Sequence, residues 1–248
     1  HNATNLWMPQ HEEQFWIADH TLHGCHVSHS WVEGLILYAW VSGDPWAEEV
    51  IDEMAGWYVR MVERNQFGAG GQERGPGWTL IALSALAEAT QDEQVIAAGG
   101  TVAEWLLEHQ DPIRGVVSVP ISEQRSYEGG STFMHGIVGR GLGRWCDVTG
   151  DPRVKNATIG IAEWIITEPM GEPGMFWYKQ SPQNSTRYRP TDQVLTALSY
   201  AYTLSEDPRF ADVAVALIDK TGPNVRSMSW HGQSLKHLWP LLKDKPAP

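Results

Sequence analysis

Between residues 30 and 242 the apolar side chains recur every third or fourth position in nine stretches, which short polar clusters or longer runs rich in glycine, proline and serine separate. That period keeps one face of an α-helix apolar. It predicts helices over 30–41, 45–64, 77–89, 93–109, 131–148, 152–167, 191–204, 208–220 and 233–242. Four of the separators share one pattern, a small polar residue followed two positions later by aspartate: Ser42-Gly43-Asp44-Pro45, Thr90-Gln91-Asp92-Glu93, Thr149-Gly150-Asp151-Pro152 and Ser205-Glu206-Asp207-Pro208. An aspartate placed there accepts hydrogen bonds from the free N–H groups of a first helical turn, and proline fits the next position because its missing donor is not needed. Nine residues before each aspartate stand Leu35, Leu83, Leu142 and Leu198; thirteen after stand Trp57, Trp105, Trp164 and, breaking the pattern, Lys220.

The helices therefore pair into hairpins of about 40 to 50 residues that bury one another's apolar faces, as repeat architectures do. The expected fold is all-α, an incomplete (α/α) toroid of four to five hairpins. Residues 1–25 carry no such period and read as a lead-in segment, with 26–248 as a single toroid domain. Three long connections, 68–77, 111–130 and 168–190, each lead into an inner helix and should gather at one mouth of the toroid. Loops of that length in a compact domain are usually functional. Within the second, Gly115–Val119 has the composition of a short strand.

Composition changes this picture in two ways. Thirteen tryptophans among 248 residues supply both core and aromatic platforms on which sugar rings can stack; Trp57, Trp105 and Trp164, at repeat positions, are assigned to the core. A net charge of −12 excludes a nucleic-acid partner, which would require clustered lysine and arginine, and no apolar run is long enough to cross a bilayer. Two cysteines, Cys25 and Cys146, define no disulfide framework. Asn2, Asn156 and Asn184 stand in Asn-x-Ser/Thr glycosylation acceptors and point to a secreted or periplasmic glycoprotein.

The densest group of metal-ligand residue types is His20, His23, Cys25, His26 and His29. A three-residue step turns a helix by about −60°, so the four histidines cannot converge from one helix. No metal and no particular cofactor is assigned. Glu33 is open to two readings: a general acid or base at the mouth, or the last member of a Ser30-Trp31-Val32-Glu33 capping box.

The stretch His29-Ser30-Trp31-Val32-Glu33-Gly34-Leu35, followed by Tyr38 and the Ser42–Pro45 turn, resembles the toroid domain of the rhamnogalacturonan exolyase and YetA-like family, over about residues 20–207. The resemblance implies a carbohydrate-active helical toroid, a polysaccharide substrate and companion β-rich domains. Elimination from a uronate requires a cation for the developing enolate, a base for the carbon-bound proton and an acid for the leaving oxygen. His29, Tyr127, His135 and Tyr188 are the candidates for proton transfer. His26, Trp31, Arg74, Trp78, Arg125, Trp177, Tyr178, Arg187 and Arg189 are the candidates for holding substrate. Hydrolysis would instead use two carboxylates across the bond, drawn from Glu33, Glu73, Glu128 and Asp192, with Glu73 otherwise a substrate-binding residue. The leading expectation is a lyase acting on an acidic poly- or oligosaccharide. The alternatives are a glycan-binding or self-assembling protein without catalysis, and a glycoside hydrolase.

Overall fold

A computed structural model describes residues 27, 31–67, 73–117, 130–179, 188–222 and 228–242. Its helices are α1 (Glu33–Ser42), α2 (Pro45–Glu63), α3 (Arg74–Thr90), α4 (Glu93–His109), α5 (Thr132–Thr149), α6 (Pro152–Thr167), α7 (Val194–Ser205), α8 (Pro208–Thr221) and α9 (Met228–Leu242). Each of the four repeated turns folds in the same way. The side chains of Asp44, Asp92, Asp151 and Asp207 accept the backbone N–H two residues on, from Trp46, Gln94, Arg153 and Arg209. The preceding hydroxyls complete the turn: Ser42, Thr90, Thr149 and Ser205 donate to the carbonyl four residues back and accept the N–H of the aspartate. The residue between them, Gly43, Gln91, Gly150 or Glu206, is left-handed, with φ of 64, 55, 65 and 59°. One short motif thus ends one helix and starts the next.

The odd-numbered helices form an inner row in which α1 packs on α3, α3 on α5, α5 on α7 and α7 on α9; outside it α2 meets α4, α4 meets α6 and α6 meets α8. The core lies between the rows and holds Leu83, Leu142, Leu198, Trp57 and Trp164, all buried. Trp105 packs against this core with less burial than the other two. It is half-buried on the outer wall, stacked on His109 at 4.0 Å and edge-on to Phe67 at 5.9 Å.

Helix α5 sits at the centre of the inner row, and its glycines set how closely its neighbours approach. A Cβ on Gly136 would come within 2.5 Å of the Gln193 carbonyl oxygen, and one on Gly143 within 2.4 Å of the Tyr200 ring; both contacts belong to the α7 side. On the α3 side a Cβ on Gly141 would lie 2.7 Å from the Gly77 carbonyl oxygen. Side chains at these places would push the inner helices apart.

The all-α expectation omits a small antiparallel sheet of β1 (Met170–Glu172), β2 (Met175–Trp177) and β3 (Tyr188–Arg189), in the order β1-β2-β3. It folds from the third long connection. Buried Phe176 anchors it, while Thr132 donates its N–H to the Tyr178 carbonyl at 3.0 Å and its hydroxyl to the Trp177 carbonyl. The strand expected at Gly115–Val119 reduces, among the described residues, to a single antiparallel bridge between Gln110 and Val117.

Candidate functional site

The inner helices enclose a charged network. Arg140 of α5, only 2% exposed, donates to one carboxylate oxygen of Glu33, and Arg144, one turn on, donates to the other. Arg144 also reaches Glu88 of α3 at 2.5 Å. Burial holds the Arg140 guanidinium below its ordinary range, against the pull of Glu33. Burial acts the same way on Arg144, but Glu33 and Glu88 together outweigh it and the net shift is upward. Farther along the lumen the Tyr200 hydroxyl donates to Asp147 at 3.0 Å and accepts from Lys236 of α9 at 3.3 Å, and Lys236 lies 3.5 Å from Asp147. Burial, then the Asp147 charge, raises the Tyr200 phenol well above its usual value.

Three tryptophans cap this network on the side of the inner-helix N-termini. Trp31, just before α1, meets Trp78 of α3 edge-on at 6.0 Å, and Trp78 meets Trp230 of α9 at 6.0 Å. The Arg140 guanidinium lies against both of the last two rings, 5.9 Å from Trp78 and 5.0 Å from Trp230. Cations over indole faces at such distances are attracted by the ring quadrupole.

Beside this cluster the starts of α3 and α5 share a buried polar group. Glu73, 1% exposed, accepts the Ser131 N–H through Oε1 at 3.4 Å, while its buried Oε2, the Ser131 hydroxyl and Nε of Arg74 have no hydrogen-bond partner. His135 is fully sealed. Its Nδ1–H donates to the Ser131 carbonyl and its Nε2 accepts the Val117 N–H, each at 3.0 Å, which fixes the neutral tautomer. Burial pushes its imidazole below the usual histidine range, and its ring packs on Trp164 at 4.3 Å.

These placements change several sequence expectations. His135 has both nitrogens engaged and no exposed surface, so it is a structural pin and not a base open to substrate. Glu33 stands at the first position of α1, not the third, with no side-chain cap at Val32, and its carboxylate crosses the lumen to Arg140 and Arg144; Ser30 lies outside the described residues. Tyr188 packs at a tilt against Trp177 at 4.8 Å within the small sheet, with exposed Arg189 beside it, and Tyr178 stacks on Phe133 at 5.3 Å. Asp192 lies partly exposed ahead of α7 and accepts the Leu195 N–H through its carbonyl. Asn156 is exposed on α6, and Cys146 is a free, buried thiol. His20, His23, Cys25, His26, His29, Tyr127, Glu128, Arg125, Arg187, Asn2 and Asn184 lie outside the described residues, as does the lead-in segment 1–25. Among the described residues no group of three or more His, Cys, Asp or Glu side chains could hold a metal ion, and no helix is long and apolar enough to cross a membrane.

Arg140, Arg144, Glu88, Tyr200, Lys236 and Trp230 are absent from the sequence-based assignment, yet most of them obey a countable rule. Counting back eleven, seven and four residues from the turn aspartates lands on polar side chains at eight of the twelve places, Glu33, Arg140 and Thr196 at the first, Arg144 and Tyr200 at the second, Glu88, Asp147 and Thr203 at the third; Ile81, Leu37, Ala85 and Trp40 fill the other four. Charged residues recurring at one phase of an otherwise apolar inner helix are the signal.

This arrangement of inner and outer helices is that of an (α/α) toroid, which among the described residues comprises four hairpins and a further inner helix. It matches two solved carbohydrate-active enzymes of that fold. One is a GH76 alpha-mannanase of Bacteroides thetaiotaomicron, with a TM-score of 0.62 and 12% identity over 98% of this chain and 70% of that one. The other is an inactive variant of an alpha-1,6-mannanase, GH76A of Salegentibacter sp. HEL1_6, in complex with alpha-1,6-mannotetrose, with a TM-score of 0.63 and 11% identity over 98% of this chain and 80% of that one. At such identities the likeness establishes the fold alone. No protein-family model and no curated protein matches the chain, so the resemblance to the rhamnogalacturonan exolyase family gains support only at the level of the toroid.

Proposed function

We infer that the chain is a glycoside hydrolase that holds a polysaccharide at the mouth of its toroid. The observation that carries this reading is the convergence of Trp31, Trp78 and Trp230, from three separate segments, above the Glu33–Arg140 pair. Indole faces take the C–H faces of sugar rings, and paired charges beneath them offer donors and acceptors to hydroxyls. In the lumen Arg140 faces Glu33, Arg144 faces Glu33 and Glu88, and Lys236 faces Asp147. Such a balanced array suits a neutral glycan better than an acidic one, and α-1,6-mannan, related to the ligand of one structural neighbour, is the first substrate to test.

Hydrolysis requires an acid and a base or nucleophile on either side of the bond. The inactive neighbour carries alanine at two consecutive aspartates, whereas this sequence contains no consecutive aspartates, so here the two carboxylates would come from separate segments. Glu33, beneath the tryptophans, and Asp192, partly exposed at the head of α7, are the pair to substitute first, since Glu73 is as sealed as His135. The tyrosine, histidine and arginine set expected for elimination has less support, because His135 is sealed and Tyr188 belongs to the surface sheet. One observation favours binding without catalysis: both oxygens of Glu33 are occupied by guanidinium donors.

Incubation with α-1,6-mannan and with uronate polysaccharides, followed for reducing ends and for the ultraviolet absorbance of an unsaturated uronate, separates these readings. Reducing ends without new absorbance are expected. New absorbance would restore the lyase, and silence in both with the protein folded would leave a binding protein.

A further inference from the structure

Among the described residues, the large apolar side chains that stand in solvent collect on one helix. Leu37, Tyr38, Trp40 and Val41 of α1, with Trp46 just after its turn, are each more than half exposed, from 51% at Tyr38 to 89% at Val41. The buried side chains of α1, Ile36 and Ala39, lie on its opposite face, where it packs on α2 and α3. Residues 34, 37, 38 and 41 form one stripe at three- and four-residue steps. We propose that this stripe is the interface between two copies of the chain, α1 packing antiparallel on the partner's α1 about a two-fold axis.

Three observations make a second copy the occupant. Size is the first. An aromatic side chain can bury about 150–250 Å², so Tyr38, Trp40 and Trp46, each between half and two thirds exposed, present roughly 250–400 Å² together. With Leu37 and Val41 they supply the apolar centre of a standard interface, which takes about 800 Å² from each partner with its polar rim included. Apolar patches of this extent mark places where proteins associate.

Charge is the second. The chain carries a net −12, so two copies repel each other over most of their surface. Helix α1 has one charged residue among its ten, Glu33, and both of its oxygens are held by Arg140 and Arg144. The Tyr38 hydroxyl donates to Asp44 at 3.0 Å and keeps its polar end satisfied. On this stripe two copies meet without setting like charges against each other.

Shape is the third. A two-fold axis between Leu37 and Tyr38 sets Leu37 against the partner's Tyr38 and Gly34 against the partner's Val41. Val41 is the most exposed of the group, and a Cβ on Gly34 would meet nothing within 4 Å. The side chain that projects farthest into solvent thus faces the one position on the stripe without a side chain. The inner row packs in the same way, with Gly143 of α5 receiving the Tyr200 ring of α7. Because the two α1 helices run antiparallel, the two mouths point in opposite directions, and nothing in the inference depends on the glycan reading.

Sedimentation velocity of the full chain across a dilution series tests the proposal, with Leu37→Glu, Val41→Glu and Gly34→Trp as variants. Gly34→Trp fills the hollow without adding charge and so separates close packing from plain repulsion. The expected result is a monomer–dimer equilibrium whose dissociation constant rises at least about tenfold in each variant, with Tm in dilute solution unchanged because all three positions face solvent in the single chain. A full chain that stays monomeric would overturn the proposal, and a lower Tm in its Leu37→Glu variant would then give the stripe to a segment of the same chain. Dimers that any of the three variants leaves intact would overturn the two-fold packing. Species that keep growing beyond the dimer would also overturn it, since they require α1 of one copy to meet a different face of the next.

Discussion

The two ends of the inner helices are built on different principles. At the C-terminal ends one motif occurs four times, and the hydrogen bonds that its copies share join residues two to four positions apart. At the N-terminal ends the defining contacts span the chain: Glu33 and Arg140 are 107 residues apart, Glu73 and Ser131 58, Thr132 and Trp177 45. The first end spreads its stability over equivalent small units. The second concentrates it in a few buried polar contacts, and there the aromatic residues and carboxylates suited to chemistry collect.

That contrast predicts unequal penalties. Glu33→Ala should cost the most, about 3–5 kcal/mol, because it strands the buried Arg140 guanidinium; the double variant Glu33→Leu, Arg140→Met should recover most of the loss in urea denaturation. Equal instability of single and double variants would show that the ion pair matters for packing alone. Next, Gly141→Ala should cost about 1–3 kcal/mol, since its Cβ would press on the Gly77 carbonyl oxygen. Thermal melts would show no change if the helices can part freely.

Acidity acts at both ends, through His135 near the mouth and His237 beside Thr203 near the end of α7. Burial depresses His135, and burial with the Lys236 charge lowers His237 to about 4. Their imidazoles stay neutral in the fold while the unfolded chain takes up protons below about 6.5. Stability contributed this way is complete above that value and declines as pH falls from about 6.5 toward 4. Tm measured at pH 7.5 and pH 5 should therefore drop, and His237→Gln should reduce the drop; a flat profile would contradict the buried neutral state. The turns should respond least. Asp151→Ala should cost about 1 kcal/mol, and Glu206→Gly should gain about 0.5–1 kcal/mol by relieving a left-handed residue that carries a Cβ.

The same contrast explains what could be read from the sequence. The four turns and the helices they join are local, so Asp44, Asp92, Asp151 and Asp207 announced them through side-chain chemistry alone. The start of α1 and the partners of Glu33 could not be read for the complementary reason: a capping box is a local motif, and Arg140, which takes the Glu33 carboxylate, lies 107 residues away. His135 illustrates the same limit. Its sequence position near the mouth suggested catalysis, but its partners are the Val117 N–H and the Ser131 carbonyl, and a contact with a loop backbone leaves no trace in residue type. The lumen set of Arg140, Arg144, Glu88 and Tyr200 was legible in principle, since it follows the repeat, but only once the turn aspartates are used as the origin for counting.

The central claim is that the tryptophan cluster at the mouth holds a sugar chain, and calorimetric titration of alpha-1,6-mannotetrose into the full chain and into Trp31→Ala tests it most directly. Trp31 is 43% exposed, so its loss should leave Tm nearly unchanged while affinity falls at least about tenfold, the loss of roughly 1.4 kcal/mol of ring contact. An affinity that Trp31→Ala leaves intact, or no binding by the unaltered chain, would contradict the account.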